Sequence, residues 1–187
     1  LIIGGTHSSG LNWNGTSYEW ITANVIAKKD MTFAGRTVKA GEPIMEPYTV
    51  REIDGVNVGI IGIVTKDTAG KVVPDGIKDV EFTDEAQAIN KYTQELKSKG
   101  IKTIIVLSHV PTKSTTDGVL LDVDGDSDLY EISQKVDGEV DVIIGADNHT
   151  YANSVVKREG KDDIIITQAY SKGSNIGKID LSIDKTT

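Results

Sequence analysis

The sequence predicts an α/β domain built around a mixed sheet, and three observations indicate this fold class. Between residues 56 and 144, short apolar runs alternate with stretches whose apolar residues recur at helical spacing, which is typical of βαβ units. Near the end of the chain, two more strand-like runs follow one another with no helix between them, which favours an antiparallel pair. Each of the three histidines, His7, His109 and His149, stands just past a short apolar run. Because open α/β sheets bind ligands at the carboxyl ends of their strands, we expect these histidines to mark one shared site.

Composition limits the possible functions. A chain of 187 residues is expected to form one domain, 1–187, with a substantial core. The formal net charge of −8 and the lack of a basic stripe argue against nucleic acid as a partner, because phosphate backbones are held by clustered Lys and Arg. No apolar run approaches the roughly 20 residues of a membrane-spanning helix. The absence of cysteine excludes disulfides, thiolate metal ligands and cysteine nucleophiles.

The first third of the chain predicts mostly strands. Residues 21–26 (ITANVI) are typical of a strand, and residues 28–50 mix Gly, Pro and charge as in a loop with short strands. Residues 48–53 alternate with a period of two, and Asp54-Gly55 predicts a hairpin turn. Residues 56–64 (VNVGIIGIV) then predict a mostly buried strand.

After an expected loop over residues 66–80, the sequence predicts a helix over about 85–99. Asp84 is placed to cap its first turn, with Gln87 reaching back, and Gly100 fits the position just past its end. An apolar stripe at helical spacing predicts the buried face of this helix: Ala88, Ile89, Tyr92 and Leu96.

The rest of the chain continues the alternation and then breaks it. A strand is expected over 103–107 (TIIVL), a shorter helix over 127–136 and a strand over 140–144 (VDVII). The last two strands are expected over 163–168 and 176–183, antiparallel to each other.

Two of these strand ends carry metal-ligand side chains. His109 ends one strand and precedes Val110-Pro111, so a helix cannot start at once. Asp147-Asn148-His149 follows another strand, and in an extended loop Asp147 and His149 would point the same way. Carboxylate oxygen together with imidazole nitrogen suits zinc, manganese or iron. The alternatives are a surface or packing histidine at His109 and an ordinary Asp-Asn turn at 147–149.

His7 lies in the glycine-rich segment Gly4–Gly10, where the backbone can approach a ligand closely. The segment is not a nucleotide P-loop, since it lacks the Gly-Lys-Ser/Thr ending. A flexible N-terminal tail is the alternative interpretation.

Two other patterns predict no site. The acidic run from Asp122 to Asp128 lacks the glycine position and closing glutamate of an EF-hand, so a solvated loop is expected, with Asp126 or Ser127 capping the helix behind it. A serine-hydrolase triad has no Gly-x-Ser-x-Gly turn to support it.

Five stretches, taken in order, resemble the calcineurin-like metallophosphoesterase domain of the 5′-nucleotidase and 2′,3′-cyclic-nucleotide phosphodiesterase family. The resemblance covers nearly the whole chain from about residue 20. It implies that the chain folds as part of a four-layer α/β/β/α sandwich. It also implies two divalent metal ions, such as Zn²⁺ or Mn²⁺, which clamp a phosphate so that metal-bound water or hydroxide attacks phosphorus. The matching stretches are ITANVI (21–26), PYTVREIDGVNVGIIGIVTKDT (47–68), VEFTDEAQAINKYTQELKSKGIKTIIVLSHV (80–110), DVIIGADNHT (141–150) and ITQAYSKGSNIGKIDLSID (166–184).

The resemblance implies roles for four residues. His109 matches the strand-end metal histidine, while Asp147 and His149 fall on the first and second histidines of Gly-His-x-His, so all three are expected as metal ligands. Gly5-Thr6-His7-Ser8 echoes Gly-Asn-His-Glu, which makes His7 the residue that steadies the transition-state phosphate or protonates the leaving group. Thr6 then stands where the family has a metal-binding Asn. The family's upstream Asp-x-His and Gly-Asp segments have no counterpart in this chain.

We therefore expect a partial catalytic domain from an exported, bacterial-type phosphohydrolase that acts on nucleotides, cyclic nucleotides or other phosphate esters. Its expected location is secreted, periplasmic or at the cell surface. The missing partners would be the upstream segment and the downstream substrate-binding domain, and the isolated chain is expected to show little or no turnover. The alternative is a degenerate, non-catalytic binding or scaffold domain, which Thr6 and Asp147 favour.

Overall fold

The structure is a computed structural model that describes residues 2–113 and 127–183. Four helices and twelve strands lie within these ranges. The helices are α1 (Thr68–Lys71), α2 (Pro74–Ile77), α3 (Glu85–Ser98) and α4 (Asp128–Lys135). The strands are β1 (Ile3–Thr6), β2 (Asn12–Gly15), β3 (Val25–Ala27), β4 (Met31–Phe33), β5 (Arg36–Val38), β6 (Tyr48–Ile53), β7 (Val56–Val64), β8 (Val80–Phe82), β9 (Thr103–His109), β10 (Val140–Ile144), β11 (Tyr151–Val156) and β12 (Ile164–Ala169).

A six-stranded mixed sheet in the order β11-β12-β10-β9-β7-β6 is the main framework, which confirms the predicted fold class. Strands β7, β9, β10 and β12 are parallel, and the two edge strands, β6 and β11, run antiparallel to their neighbours. Helix α3 connects β7 to β9, and α4 connects β9 to β10, as expected of βαβ units. All carboxyl ends of the parallel strands therefore meet at one edge.

The hairpin between β6 and β7 confirms the turn predicted at Asp54-Gly55. Both residues have positive φ, 49° for Asp54 and 79° for Gly55, as a tight two-residue turn requires. The pairing runs without interruption from Tyr48 opposite Ile61 to Ile53 opposite Val56. This local turn sets the register of β6 on the sheet.

Helices α3 and α4 cover one face of the sheet. Asp84 accepts a hydrogen bond from the Gln87 amide at 2.9 Å, and Gly100 has a φ of 78°, so both predicted ends of α3 are confirmed. Ser127 caps α4 by accepting from the Tyr130 amide at 3.2 Å. The rest of the predicted acidic loop, residues 122–126, lies outside the described residues. The core between the helices and the sheet contains the apolar stripe that was predicted for α3, together with apolar residues of α4 and of the central strands. These core residues are Ala88, Ile89, Tyr92, Leu96, Leu129, Ile132, Ile61, Ile104, Val106 and Ile143.

The strand expected over residues 21–26 is shorter than predicted. Only Val25–Ala27 forms a strand, and it pairs with β8. Upstream of it, the Thr22 amide donates to Glu46 O and the Ala23 amide donates to Gly62 O, so the segment crosses from one partner to another. A ladder needs one continuous partner, which this part of the chain lacks. The expected loop over 66–80 contains the two short helices α1 and α2, while the hairpin of β4 and β5 confirms the short strands within 28–50.

The predicted pairing of the last two strands is wrong. Strand β12 forms as expected, but its antiparallel partner is β11, which the sequence did not indicate. Residues 176–183 form no strand; instead Ile179, Leu181 and Ile183 line a groove beside β6, β7 and β9. The apolar alternation of this segment is thus used for packing against the sheet. Strand β11 escaped prediction because its buried positions include the small residues Ala152 and Ser154.

Within the described residues, no helix has the length and apolar character needed to cross a membrane.

Candidate functional site

The carboxyl ends of β7, β9 and β10 bring the candidate residues to one edge of the sheet. His109 is the last residue of β9 and pairs with Val64, the last residue of β7. On the other side, Leu107 pairs with Ile144, the last residue of β10, so the loop from Gly145 to His149 begins next to His109. The parallel order of these strands is the reason that residues distant in sequence become neighbours.

His109 and Asp147 face each other at this edge. The imidazole Nε2 of His109 lies 3.4 Å from Oδ1 of Asp147. The His109 side chain is 62% exposed, whereas that of Asp147 is only 23% exposed. The structure therefore places these two predicted ligands next to each other, and each presents an atom type that binds divalent metals.

Lys71 completes the cluster and was not indicated by the sequence. Its ammonium Nζ lies 3.0 Å from Oδ2 of Asp147, whereas His109 approaches the other oxygen, Oδ1. Lys71 ends the short helix α1, which follows β7 after a turn at Thr65. Nothing in the local pattern around Lys71 could have signalled this contact, since the two residues are 76 positions apart.

The loop after β10 is held by hydrogen bonds on both sides. The Gly145 amide donates to Thr167 O at 2.8 Å, and the Ala146 amide donates to Val110 O at 3.3 Å. The amide side chain of Asn148 donates to Thr112 O and accepts from Nε2 of Gln168, the latter at 3.1 Å. Asn148 therefore acts as a brace that fixes the backbone next to Asp147.

His149 does not join the pair through an extended loop. Asp147 and His149 have φ values of 80° and 54°, so the backbone turns at both residues, and the His149 side chain is exposed. The expectation that the two side chains would point the same way rested on an extended backbone, which this loop does not adopt.

His7 lies in the turn that joins β1 and β2, a two-stranded sheet of its own. The turn is closed by the His7 amide, which donates to Leu11 O at 2.9 Å, and the His7 Nδ1 is 2.8 Å from Ser9 Oγ. The segment is thus a hairpin. The imidazole of His7 forms its hydrogen bonds with Ser9 in the same turn. The structure therefore does not bring His7 into contact with His109 or Asp147.

The donor atoms of His109 and Asp147 suit a divalent metal, but two donors do not make a metal site. His109 and Asp147 fit as two ligands, but catalytic zinc sites use three protein ligands. Within residues 2–113 and 127–183, no three His, Asp or Glu side chains form a group that could hold a metal ion. The described residues therefore present one imidazole and one carboxylate at this edge, which is fewer donors than a catalytic zinc site uses.

An apolar groove adjoins His109. It has a volume of about 630 Å³, and its walls come from the segment over residues 20–45, the end of β7 and the region of α2 and β8. Large apolar side chains in the groove include Trp20, Met31, Phe33, Ile44 and Phe82. His109 thus lines the apolar groove and also contacts Asp147, which is paired with Lys71.

The chain is similar in sequence to several curated proteins. No family model matches the sequence. Endonuclease YhcR of Bacillus subtilis is 38% identical over 188 residues, which is 100% of this chain and 14% of that protein. Cell wall protein Lmo0130 of Listeria monocytogenes is 38% identical over 89% of this chain and 20% of its own length. A probable 5′-nucleotidase of Treponema pallidum is 25% identical over 89% of this chain and 27% of its own length. The chain thus spans about a quarter or less of these curated relatives.

Solved structures agree with the sequence comparisons. A 5′-nucleotidase precursor from Thermus thermophilus superposes with a TM-score of 0.62 at 26% identity, over 82% of this chain and 28% of that chain. The calcineurin-like phosphoesterase YfkN from Bacillus subtilis shares the fold, with a TM-score of 0.59 at 19% identity, over 84% of this chain and 48% of its own. The relatives and structural neighbours of this chain thus include 5′-nucleotidases and calcineurin-like phosphoesterases, and the chain resembles the C-terminal part of their metallophosphoesterase domain.

Proposed function

We propose that the protein is a metal-dependent phosphohydrolase that acts on nucleotides or related phosphate esters outside the cytoplasm. The observation that carries the proposal is the pairing of His109 with Asp147 at the carboxyl edge of the parallel strands. This chain would contribute these two residues as metal ligands, and the remaining ligands would come from parts of the protein that the chain does not contain. The chain covers only 14% to 27% of the length of these relatives, which supports the proposal that other parts of the protein supply the remaining ligands.

The donor set suits the reaction. A divalent metal bound here would act as a Lewis acid toward a phosphate oxygen. His109 would offer Nε2 as a neutral ligand, and Asp147 would offer a carboxylate oxygen whose loop is fixed by the brace of Asn148. Because His109 is well exposed, a phosphate ester can reach this edge of the sheet without a rearrangement of the core.

His7 and His149 keep their proposed roles in the same reaction. We propose His149 as a third ligand and His7 as the group that steadies the phosphate or protonates the leaving group. Both side chains are exposed, and His7 is carried by the hairpin of β1 and β2, a two-stranded sheet separate from the six-stranded one. Each role therefore requires the side chain to approach the pair of His109 and Asp147 when substrate and metal are bound.

Small phosphate esters are the proposed substrates. The net charge of −8 is unfavourable for wrapping a nucleic acid backbone. The relative named as an endonuclease is a much longer protein, of which this chain covers 14%, so its name does not decide the substrate here. An extracytoplasmic location is supported by the likeness to a protein named as a cell wall protein.

A phosphatase assay on the full-length protein tests the proposal. We expect hydrolysis of nucleoside monophosphates that depends on added Mn²⁺ or Zn²⁺. In His109→Ala, activity should fall at least about 10- to 100-fold, because mutation of residues that only hydrogen-bond to metal ligands already causes losses of that size. Lys178→Ala is the control, because Lys178 is a highly exposed surface residue that forms an ion pair with Asp180. Turnover without metal, or equal turnover in His109→Ala and the control, would contradict the assignment.

A further inference from the structure

The carboxylate of Asp147 is held from two sides by basic groups. Oδ1 faces His109 Nε2 at 3.4 Å, and Oδ2 faces Lys71 Nζ at 3.0 Å. Both oxygens of a proposed metal ligand are thus already engaged within the chain. The Lys71 contact is the closer one, and it carries a full positive charge.

The position of Lys71 is set by the framework of the same sheet edge. The Thr65 amide donates to His109 O at 3.1 Å, which ties the end of β7 to the end of β9. Thr65 O then accepts from the Thr68 amide at 3.0 Å and from its hydroxyl at 2.7 Å, which starts helix α1. Lys71 is the last residue of that helix, so its backbone is anchored to the strand end that carries His109.

An ammonium at this position must compete with a metal. A divalent cation bound between His109 and Asp147 would share the carboxylate with Lys71 and would be repelled by its charge. Lys71 is 52% exposed, so its side chain can move into solvent at low cost when a cation displaces it. The contact therefore opposes metal binding without blocking it.

We propose that Lys71 is a built-in counter-cation of Asp147 that competes with divalent metal and so sets the metal affinity of this sheet edge. The inference rests on the proposed function, because it concerns the same ligand pair. Lys71 is an affinity-setting residue: it acts through Asp147 and touches neither the metal nor the reacting phosphate.

Metal titration of the full-length protein tests this directly. Zn²⁺ and Mn²⁺ are titrated calorimetrically into the wild type, Lys71→Met, Lys71→Arg and Lys71→Glu. Removing the charge in Lys71→Met should lower the metal Kd about three- to fivefold, the range set by a partly exposed ion pair. Lys71→Arg should leave the Kd unchanged, and Lys71→Glu should lower it further, since a carboxylate replaces the ammonium.

Lys66→Met is the matched control, because Lys66 is an exposed lysine two residues before helix α1 and its substitution makes the same change in net charge. Its Kd should equal that of the wild type. The difference between wild type and Lys71→Met should also narrow as sodium chloride is raised, because salt screens the ion pair. A purely structural role of Lys71 would not produce this salt dependence.

The possible outcomes separate the inference from the proposed function. Equal affinity in wild type and Lys71→Met, or weaker binding in Lys71→Met, would overturn the role of Lys71 while leaving the ligand pair intact. No metal uptake by any variant, including Lys71→Glu, would overturn the ligand pair and the inference with it.

Discussion

The side chain of Asp141 replaces a missing backbone hydrogen-bond acceptor at an irregular position of the sheet. The register between β9 and β10 shifts between Val140 and Val142, so Asp141 lies at a bulge. Its Oδ2 accepts a hydrogen bond from the Ile104 amide at 2.9 Å and thereby satisfies a backbone donor next to the irregularity. Burial raises the pKa of the Asp141 carboxyl above its ordinary value, with Glu139 and Asp162 adding to the rise while the Ile104 amide and Arg158 oppose it.

This raised pKa predicts a pH-dependent effect of Asp141→Asn. A folded-state pKa above the unfolded one means that the folded chain binds more protons, so this contribution to stability is present at acid pH and lost as the pH rises through the raised pKa. The asparagine keeps an oxygen acceptor without the charge. We expect Asp141→Asn to be more stable than wild type at neutral pH, and the difference should vanish below the ordinary aspartate pKa of 3.8.

Urea unfolding at neutral pH and at a pH below 3.8 measures this difference in stability between Asp141→Asn and the wild type. Asp30→Asn is a control of opposite sign, because the hydrogen bond from Lys39 lowers the pKa of Asp30. That variant should lose stability at neutral pH and approach the wild type at acid pH. A destabilised Asp141→Asn at neutral pH would mean that the charge of Asp141 favours folding.

At the scale of the elements, β7 is packed closely on both faces, and two of its glycines make this possible. A Cβ at Gly59 would lie 2.7 Å from Cδ1 of Leu96 in α3, and a Cβ at Gly62 would lie 2.5 Å from Ile21 O. The helix therefore packs on one face of β7, and the segment over residues 21–27 approaches the other. Since the Ala23 amide donates to Gly62 O at 2.7 Å, this crossing is fixed by the backbone itself.

Gly62→Ala should therefore destabilise the fold by at least about 2 kcal/mol, because the added methyl meets a backbone oxygen that cannot move aside. Gly76→Ala in α2 is the matched control: no atom lies within 4 Å of its added Cβ, and its φ is not in the left-handed region. That variant should be neutral or up to about 1 kcal/mol more stable, since alanine favours helix. Urea titrations of both variants give the free energies of unfolding to be compared. Equal stabilities of the two variants would refute the packing argument.

At the scale of the whole molecule, stability is distributed unevenly. The six-stranded sheet carries the core, with Ile104, Val106 and Ile143 fully buried. In contrast, the two strands of the N-terminal hairpin, β1 and β2, are exposed along almost their whole length. Local opening costs little where few apolar groups are buried, so the hairpin and the sheet are expected to open at very different free energies.

Hydrogen exchange followed by mass spectrometry should resolve this difference. Peptides from β1 and β2 should exchange orders of magnitude faster than peptides from β9 and β10. This matters for function, because His7 belongs to the hairpin and its proposed role requires movement toward His109. Equal protection of the hairpin and the central strands would mean that His7 is held rigidly in its present turn.

Features set by local interactions could be predicted from the sequence. The cap at Asp84, the apolar stripe of α3 and the Asp54-Gly55 turn each depend on residues within a few positions of one another. The shared location of His109 and Asp147 could also be predicted, because residues that follow parallel strands must emerge at the same edge.

Only the tertiary structure decided the features that join distant parts of the chain. Local alternation gives a segment the potential to form a strand, but a partner is needed to realise it: β12 pairs with β11, and residues 176–183 pack on the sheet without a ladder. The backbone turns at Asp147 and His149, where an extended loop was predicted. The contact between Lys71 and Asp147 spans 76 positions and arises because β7 and β10 end at the same edge. The sequence by itself therefore determined the fold class, the helix cap and hairpin turn that depend on neighbouring residues, and the sheet edge at which His109 and Asp147 emerge. The charge balance at that edge depends on long-range contacts that no local pattern encodes.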